Sequence, residues 1–185
     1  MERQRSMTAE IIRPYFTEEQ AKESLAKERQ FFFGRKKMAW LSSIPLYFPF
    51  WLVDVELSMK IVGRQERVPK VCTVMVNGRN NRGLTLRGDL ITDHASVSGI
   101  FLDNDVRIED IRETGRLEAL AGSRCFINPP PHRVLDKMRL VYYPLALVRL
   151  SVNGREEIQV FDYYRGGLDK FMARYLKMRD KMESV

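Results

Sequence analysis

The stretch Leu46-Tyr47-Phe48-Pro49-Phe50-Trp51-Leu52-Val53-Asp54-Val55 decides how the chain reads, because it is written a second time as Val141-Tyr142-Tyr143-Pro144-Leu145-Ala146-Leu147-Val148-Arg149-Leu150. With Pro49 set on Pro144, an offset of 95 residues (49 to 144), Tyr, Pro, Leu and Val coincide and five further pairs are apolar for apolar. Two copies that far apart predict a duplicated α+β unit rather than a short solenoid. In the first copy Trp51, Val53, Val55, Leu57, Met59 and Ile61 alternate with Leu52, Asp54, Glu56, Ser58 and Lys60. That period of two marks a strand with one buried face. Ala146, Val148, Leu150 and Val152 keep the same parity in the second copy.

Each strand has a return partner, Val71 to Val76 in the first copy and Glu157 to Phe161 in the second. Between the second pair stands Asn153-Gly154, whose tolerance of positive φ predicts a two-residue type I′ hairpin. The first copy uses a longer connection punctuated by Gly63 and Pro69. The expected strands are thus about 50–61 and 71–76, and the second hairpin about 140–161.

Three helices are expected. Thr17-Glu18-Glu19-Gln20 is a capping box opening a helix over about 18–33, with Phe16 stapling its start, Ala21, Leu25 and Phe32 inward, and Gly34 at its exit. Leu168, Phe171, Met172, Tyr175 and Leu176 trace an apolar stripe over about 168–182. In the less legible middle, Val106 to Leu120 reads as a helix capped by Asp105 and interrupted at Gly115, with Ile108, Ile111 and Leu117 inward. Asn128-Pro129-Pro130-Pro131-His132 reads as a stiff linker into the second copy. The run Trp40 to Val53 reads as a buried strand approached through a segment broken by Pro45 and Pro49, too short for the roughly 20 residues of a membrane span.

These elements give an α+β protein of two related halves, each an antiparallel hairpin-based sheet covered by a helix. The halves are 1–90 and 139–185, with a connecting region over 91–138, in one compact unit. Helix followed by β-hairpin, twice over, resembles the general architecture of cystatin-like α+β domains, which implies a helix packed across a curved antiparallel sheet and no particular activity. The 185 residues, 44% of them apolar, suffice for a sizeable core. Cys72 and Cys125 form no CxxC pair or disulfide framework, and Met1 to Arg5 lack the apolar core of a signal peptide, so a reducing cytoplasm is expected.

Reactive groups are sparse. His94 and His132 have no neighbouring nucleophile, and Asp93, His94, Cys125 and His132 are too scattered for a structural zinc spacing. Asp103-Asn104-Asp105 lacks the glycine of a calcium loop, and neither Arg87-Gly88-Asp89 nor Arg165-Gly166-Gly167 matches a nucleotide-binding loop. Asp54 and Glu56 share a strand neighbourhood, with Arg149 at the place of Asp54 in the second copy, an arrangement expected to give an ion pair between the halves. A non-enzyme without cofactor or metal is the expectation. The charge of +7 and pI near 9.5 point to polyanions, with Arg79, Arg82, Arg165, Lys170, Arg174, Lys177 and Lys181 as the contacts and Tyr163 and Tyr164 available for stacking. The leading expectation is a protein-interaction or scaffold module that self-associates or holds a protein partner, based on the aromatics Phe31, Phe32, Phe33, Tyr47 and Phe48. A nucleic-acid-binding accessory protein is the alternative.

Overall fold

The structure is a computed structural model that describes residues 4–28, 38–60, 66–123 and 129–182. It is an α+β fold rich in sheet, with nine strands and three helices among the described residues. In chain order these are β1 (Gln4–Ile12), α1 (Glu18–Glu28), β2 (Met38–Lys60), β3 (Arg67–Asn77), β4 (Gly83–Thr85) and β5 (Thr92–Phe101). There follow α2 (Ile108–Gly122), β6 (His132–Val134), β7 (Arg139–Val152), β8 (Arg155–Asp162), β9 (Gly167–Leu168) and α3 (Lys170–Met182). The chain forms two compact units, neither continuous in sequence. Unit 1 takes Met1–Phe48, Asp93–Leu102 and Tyr143–Val185, and unit 2 takes Pro49–Thr92 and Asp103–Tyr142.

Unit 2 is built on the first repeated segment. Val53, Val55 and Leu57 point into a core closed by Val74, Val76, Ile111 and Ala119, as the alternation in β2 requires. β2 pairs antiparallel with β3 from Phe50 opposite Asn77 to Lys60 opposite Arg67, and with β6 on its other side. The covering helix is α2. Its inward positions are Ile111, Gly115 and Ala119, spaced four apart, whereas Ile108 and Leu117 are exposed. Gly115 does not interrupt the helix: a Cβ there would lie 2.6 Å from Val53 Cγ1, so the glycine lets the helix backbone meet the strand. Asp105 does not cap it either. The N-cap is Arg107, which makes no side-chain cap and instead forms a two-bond pair with Asp110 at 2.9 and 3.1 Å. The triple proline leads into β6, on the first hairpin rather than the second, and Pro131 C=O accepts from Ser58 N at 2.8 Å.

Unit 1 has the strand order β2-β5-β1-β7-β8-β9. β1 and β5 were not foreseen. The second hairpin runs from Leu145 opposite Asp162 to Val152 opposite Arg155, closed by Asn153 at φ 53° and Gly154 at φ 80°, the signs that a type I′ turn demands. Its buried face is Ala146, Val148 and Leu150, joined by Phe161. The helix over it is α1, through Ala21 and Leu25. The amino-terminal helix therefore covers the second hairpin, and the helix of the middle region covers the first. The capping box forms as read, with Gln20 N donating to Thr17 Oγ1 (3.3 Å) and Thr17 N to Gln20 Oε1 (2.9 Å). Phe32 and Gly34 lie outside the described residues.

Pro45 and Pro49 lie within β2 rather than before it. A proline lacks the ladder donor, and β2 changes neighbours where they stand: Leu46 and Tyr47 run parallel with Ile100 and Phe101 of β5, and antiparallel pairing with β3 starts at Phe50. Among the described side chains of α3 Ala173 is buried and Met172 and Leu176 are half-buried, while Phe171 is 85% exposed, Tyr175 is 38% exposed and Leu168 belongs to β9. Asp169 Oδ1 caps that helix by accepting from Phe171 N (3.0 Å) and Met172 N (2.9 Å). No helix among the described residues is long and apolar enough to cross a membrane.

Candidate functional site

The second hairpin ends in a tight corner that shapes the site. Tyr163 N donates to Pro144 C=O, so the chain leaving β8 is tied back to β7 just before the hairpin pairing begins. Asp162 Oδ1 then accepts from Tyr164 N (2.8 Å) and Arg165 N (2.9 Å), and Gly166 N returns to Asp162 C=O (2.8 Å). Tyr143 Oη donates to the same carboxylate at 3.0 Å. Gly166 closes the corner at φ 78°, with the Phe16 ring standing where a Cβ would lie. Only glycine meets both demands. Tyr15 N and Phe16 N donate to Tyr163 C=O (3.1 and 3.0 Å), drawing the segment after β1 over the corner.

Between that segment and the strands lies a groove of about 260 Å³. Its floor is Ile11, Tyr47, Val97 and Leu145, its sides include Pro45, Pro144 and Phe16, and Arg13, Glu18 and Asp93 stand at its edge. Gly99 admits the Tyr47 ring, since a Cβ there would meet Pro45 C=O at 2.6 Å and Tyr47 Cε2 at 2.9 Å. The Tyr47 ring stacks on Phe101 with centroids 4.6 Å apart. Burial raises the Tyr47 phenol above its ordinary value. Tyr163 is pushed up to about 12, by burial first and the nearby Glu18 charge second. Arg13 grips Asp93 through Nε (2.8 Å) and Nη2 (2.6 Å), which holds the Asp93 carboxyl below its usual range. This surface is apolar in the middle and charged at the rim. It offers no activated nucleophile.

The corner of the first hairpin follows the same bonding scheme. Gly78 N donates to Pro49 C=O, Asn77 Oδ1 accepts from Arg79 N and Asn80 N, and Asn81 N returns to Asn77 C=O with Asn81 at φ 56°. Its short third strand also matches, Val76 facing Gly83 as Phe161 faces Leu168. Here, however, the space beside the corner is filled. Where unit 1 has Tyr163, unit 2 has Gly78, and Asn104 Oδ1 lies 2.6 Å from its missing Cβ. That oxygen accepts from Trp51 Nε1 at 3.0 Å, and Asn104 Nδ2 donates to Val106 C=O at 2.6 Å.

The cations expected to meet polyanions fall into both units. In unit 2, Arg79 is 5% exposed in its side chain, pairs with Asp105 at 2.9 Å and donates to Asp103 C=O, while Arg82 is exposed. In unit 1, Arg165, Lys170, Arg174 and Lys177 are exposed; the Lys181 side chain lies outside the described ones. Tyr164 packs on Tyr15 (4.7 Å) and Tyr143 (5.6 Å). Among the expected exposed aromatics, Tyr47 and Phe48 are buried at 9% and 2%, and Phe31 to Phe33 lie outside the described residues.

Asp54 accepts from Thr73 Oγ1 at 2.6 Å, Glu56 pairs with Arg133 at 3.1 Å and Arg149 approaches Glu156 at 3.9 Å. Each finds its partner within its own unit, not across the halves. His132 lies between Pro130 C=O and Arg116 Nη1, and His94 stands 4.0 Å from Glu10. Cys125 lies outside the described residues. No group of three or more metal-ligating side chains is found among the described residues. The groove residues Ile11, Pro45, Ala95 and Val97 escaped sequence reasoning because three separate segments supply them, although the repeated Tyr-x-Pro marked two of its walls. No family model, curated protein or solved structure matches the chain.

Proposed function

We propose that this chain is a non-catalytic protein-interaction module of the cytoplasm, and that it takes an apolar side chain of its partner into the groove of unit 1. The observation that carries this reading is the groove's size and lining together. At about 260 Å³ it falls short of the roughly 300–1,000 Å³ of ordinary small-molecule sites, yet exceeds the cavity of about 150 Å³ that holds benzene. One aromatic anchor fits this volume. Calorimetric titration of N-acetyl-phenylalanine amide at two temperatures tests it. Binding with a negative heat-capacity change, abolished by Val97→Lys, is expected. Equal heats for wild type and variant would refute it.

A second reading is a nucleic-acid-binding accessory protein that uses the unit 1 cations Arg165, Lys170, Arg174, Lys177 and Lys181; Arg79, expected among the contacts, is buried against Asp105. Its support is the exposed cation series on α3 under a net charge of +7. Filter binding with mixed DNA and RNA at about 50 mM salt, where screening is weak, tests it. Affinity that falls steeply with added salt is expected. We also infer that the two hairpins descend from one duplicated, cystatin-like element. The repeated corner supports this: the sequence offset of 95 at the prolines becomes 85 at the corner (77 to 162), because the first hairpin has three more paired residues in each strand and a connection four residues longer.

A further inference from the structure

We propose that α3 docks unit 1 on an anionic lipid bilayer, with the Phe171 ring entering beneath the headgroups and Lys170, Arg174 and Lys177 meeting their negative charge. This surface shares no residue with the lining of the groove and does not depend on what the groove holds.

Helix geometry gathers these side chains. At about 100° per residue, Lys170, Arg174 and Lys177 fall within about 60° of one another around α3, and Phe171 and Tyr175 follow on one flank. Ala173, buried, and Met172 and Leu176, half-buried, point the other way. The helix is thus held by its inner side and shows the cations and Phe171 to solvent. Phe171, at 85% exposure, is the most exposed large apolar side chain among the described residues. Tyr175 beside it packs against Phe48, with ring centroids 6.5 Å apart. A convex basic face with an apolar ring near its crest is the layout of helices that lie in a membrane interface.

Charge selects the occupant. In unit 2 the chain answers many of its cations with its own carboxylates, Arg107 with Asp110, Arg112 with Asp136, Arg116 with Glu113 and Arg133 with Glu56. On α3 it does not. Among the described residues Lys170, Arg174 and Lys177 make no ion pair, and Asp169, next to them in sequence, accepts instead from Phe171 N and Met172 N as the helix cap. The sequence of α3 holds five cations against one carboxylate, an excess of four in a chain whose total is +7. An anionic leaflet neutralises such a stripe and offers a hydrocarbon layer for the ring directly beneath the charge. A nucleic-acid duplex supplies the phosphates without that layer and would leave Phe171 in water.

Cosedimentation of the full chain with vesicles of about three parts phosphatidylcholine to one part phosphatidylserine, which carry the negative surface potential of a cytoplasmic leaflet, tests this. Wild type is expected to pellet with these vesicles, to stay in solution with phosphatidylcholine alone, and to be released as salt is added. Lys170→Glu/Arg174→Glu should weaken binding at least about 100-fold, at about fivefold per charge near an anionic surface. Phe171→Ser should weaken it about 10-fold, and Phe171→Leu should keep most of it. These side chains are exposed, so circular dichroism should stay as in wild type. Phe171→Trp reads the depth: lipids brominated in the acyl chains should quench the emission that this variant adds. Wild type that ignores both kinds of vesicle, or binds both equally, would overturn the inference. So would Phe171→Ser binding like wild type, or added emission untouched by the brominated chains, since either result leaves the ring outside the bilayer. Binding of mixed DNA and RNA without binding of the anionic vesicles would assign the stripe to nucleic acid and overturn it too.

Discussion

The corners of the two hairpins use one bonding scheme to different ends. In unit 2 the corner is closed: glycine at position 78 leaves room that Asn104 fills, and Arg79 is turned inward onto Asp105. In unit 1 the same place holds Tyr163, and the space beside it stays open as the groove. A groove thus stands beside one corner although both share a bonding scheme. The difference lies in Tyr163 against Gly78 and in the segment after β1 that unit 1 draws over its corner.

Removing the corner acceptors should separate the two most. Asp162 is 4% exposed and holds two amides and the Tyr143 hydroxyl, so Asp162→Ala takes their shared acceptor from three part-buried donors. About 3–5 kcal/mol of destabilisation in urea unfolding is expected, against about 1–2 kcal/mol for Asn77→Ala, which frees two amides that reach solvent more easily. Equal losses would mean that the corners are not differently built.

The residues at positive φ should respond with opposite signs. Gly166→Asn meets the Phe16 ring as well as the backbone penalty and should cost about 2–4 kcal/mol. Asn81→Gly removes a side chain whose buried Oδ1 has no hydrogen-bond partner among the described residues, so it should be neutral or stabilise by up to about 1 kcal/mol. Thermal unfolding of the two variants decides the matter.

Alkaline pH sharpens the contrast further. An ordinary tyrosine ionises near 10. Tyr163 is pushed up to about 12 and Tyr143 is also raised, by burial first and by Asp162 second. Groups whose folded values are raised contribute fully below the unfolded value and lose that contribution as pH climbs through the folded one. Stability of unit 1 should hold to about pH 10 and fall between about pH 10 and 12, and Tyr163→Phe should lessen the fall. Tyrosinate absorbance followed alongside unfolding checks this. The smallest effect is expected at the groove's rim, where Arg13→Ala breaks an exposed pair and should change stability by no more than about 1 kcal/mol.

Much of this architecture was legible because local chemistry dictated it. The Thr17 to Gln20 box, the Asn153-Gly154 turn and the alternating face of Val53, Val55 and Leu57 each follow from bonding or periodicity within a few residues. What escaped was nonlocal. Gly115 looks like a helix breaker until Val53 is placed against it, and Pro45 and Pro49 look like strand breakers until β2 is seen to change partners there. The helix that covers each hairpin is set by tertiary packing, so neighbouring position in sequence pointed α1 to the wrong one. Arg79 read as a surface cation because nothing local reveals that Asp105 turns it inward. The groove was legible only through its repeated prolines and tyrosines, since Ile11 and Val97 come from strands without a distinctive signature.

The most direct test of the account follows both corners at once in a methyl-labelled NMR titration of the full chain with N-acetyl-phenylalanine amide. Saturable shifts at Ile11, Ala95, Val97 and Leu145, with Val53, Val74 and Ile111 of unit 2 unmoved, are the predicted result. Shifts shared equally by both sets, or none at the groove methyls, would contradict it.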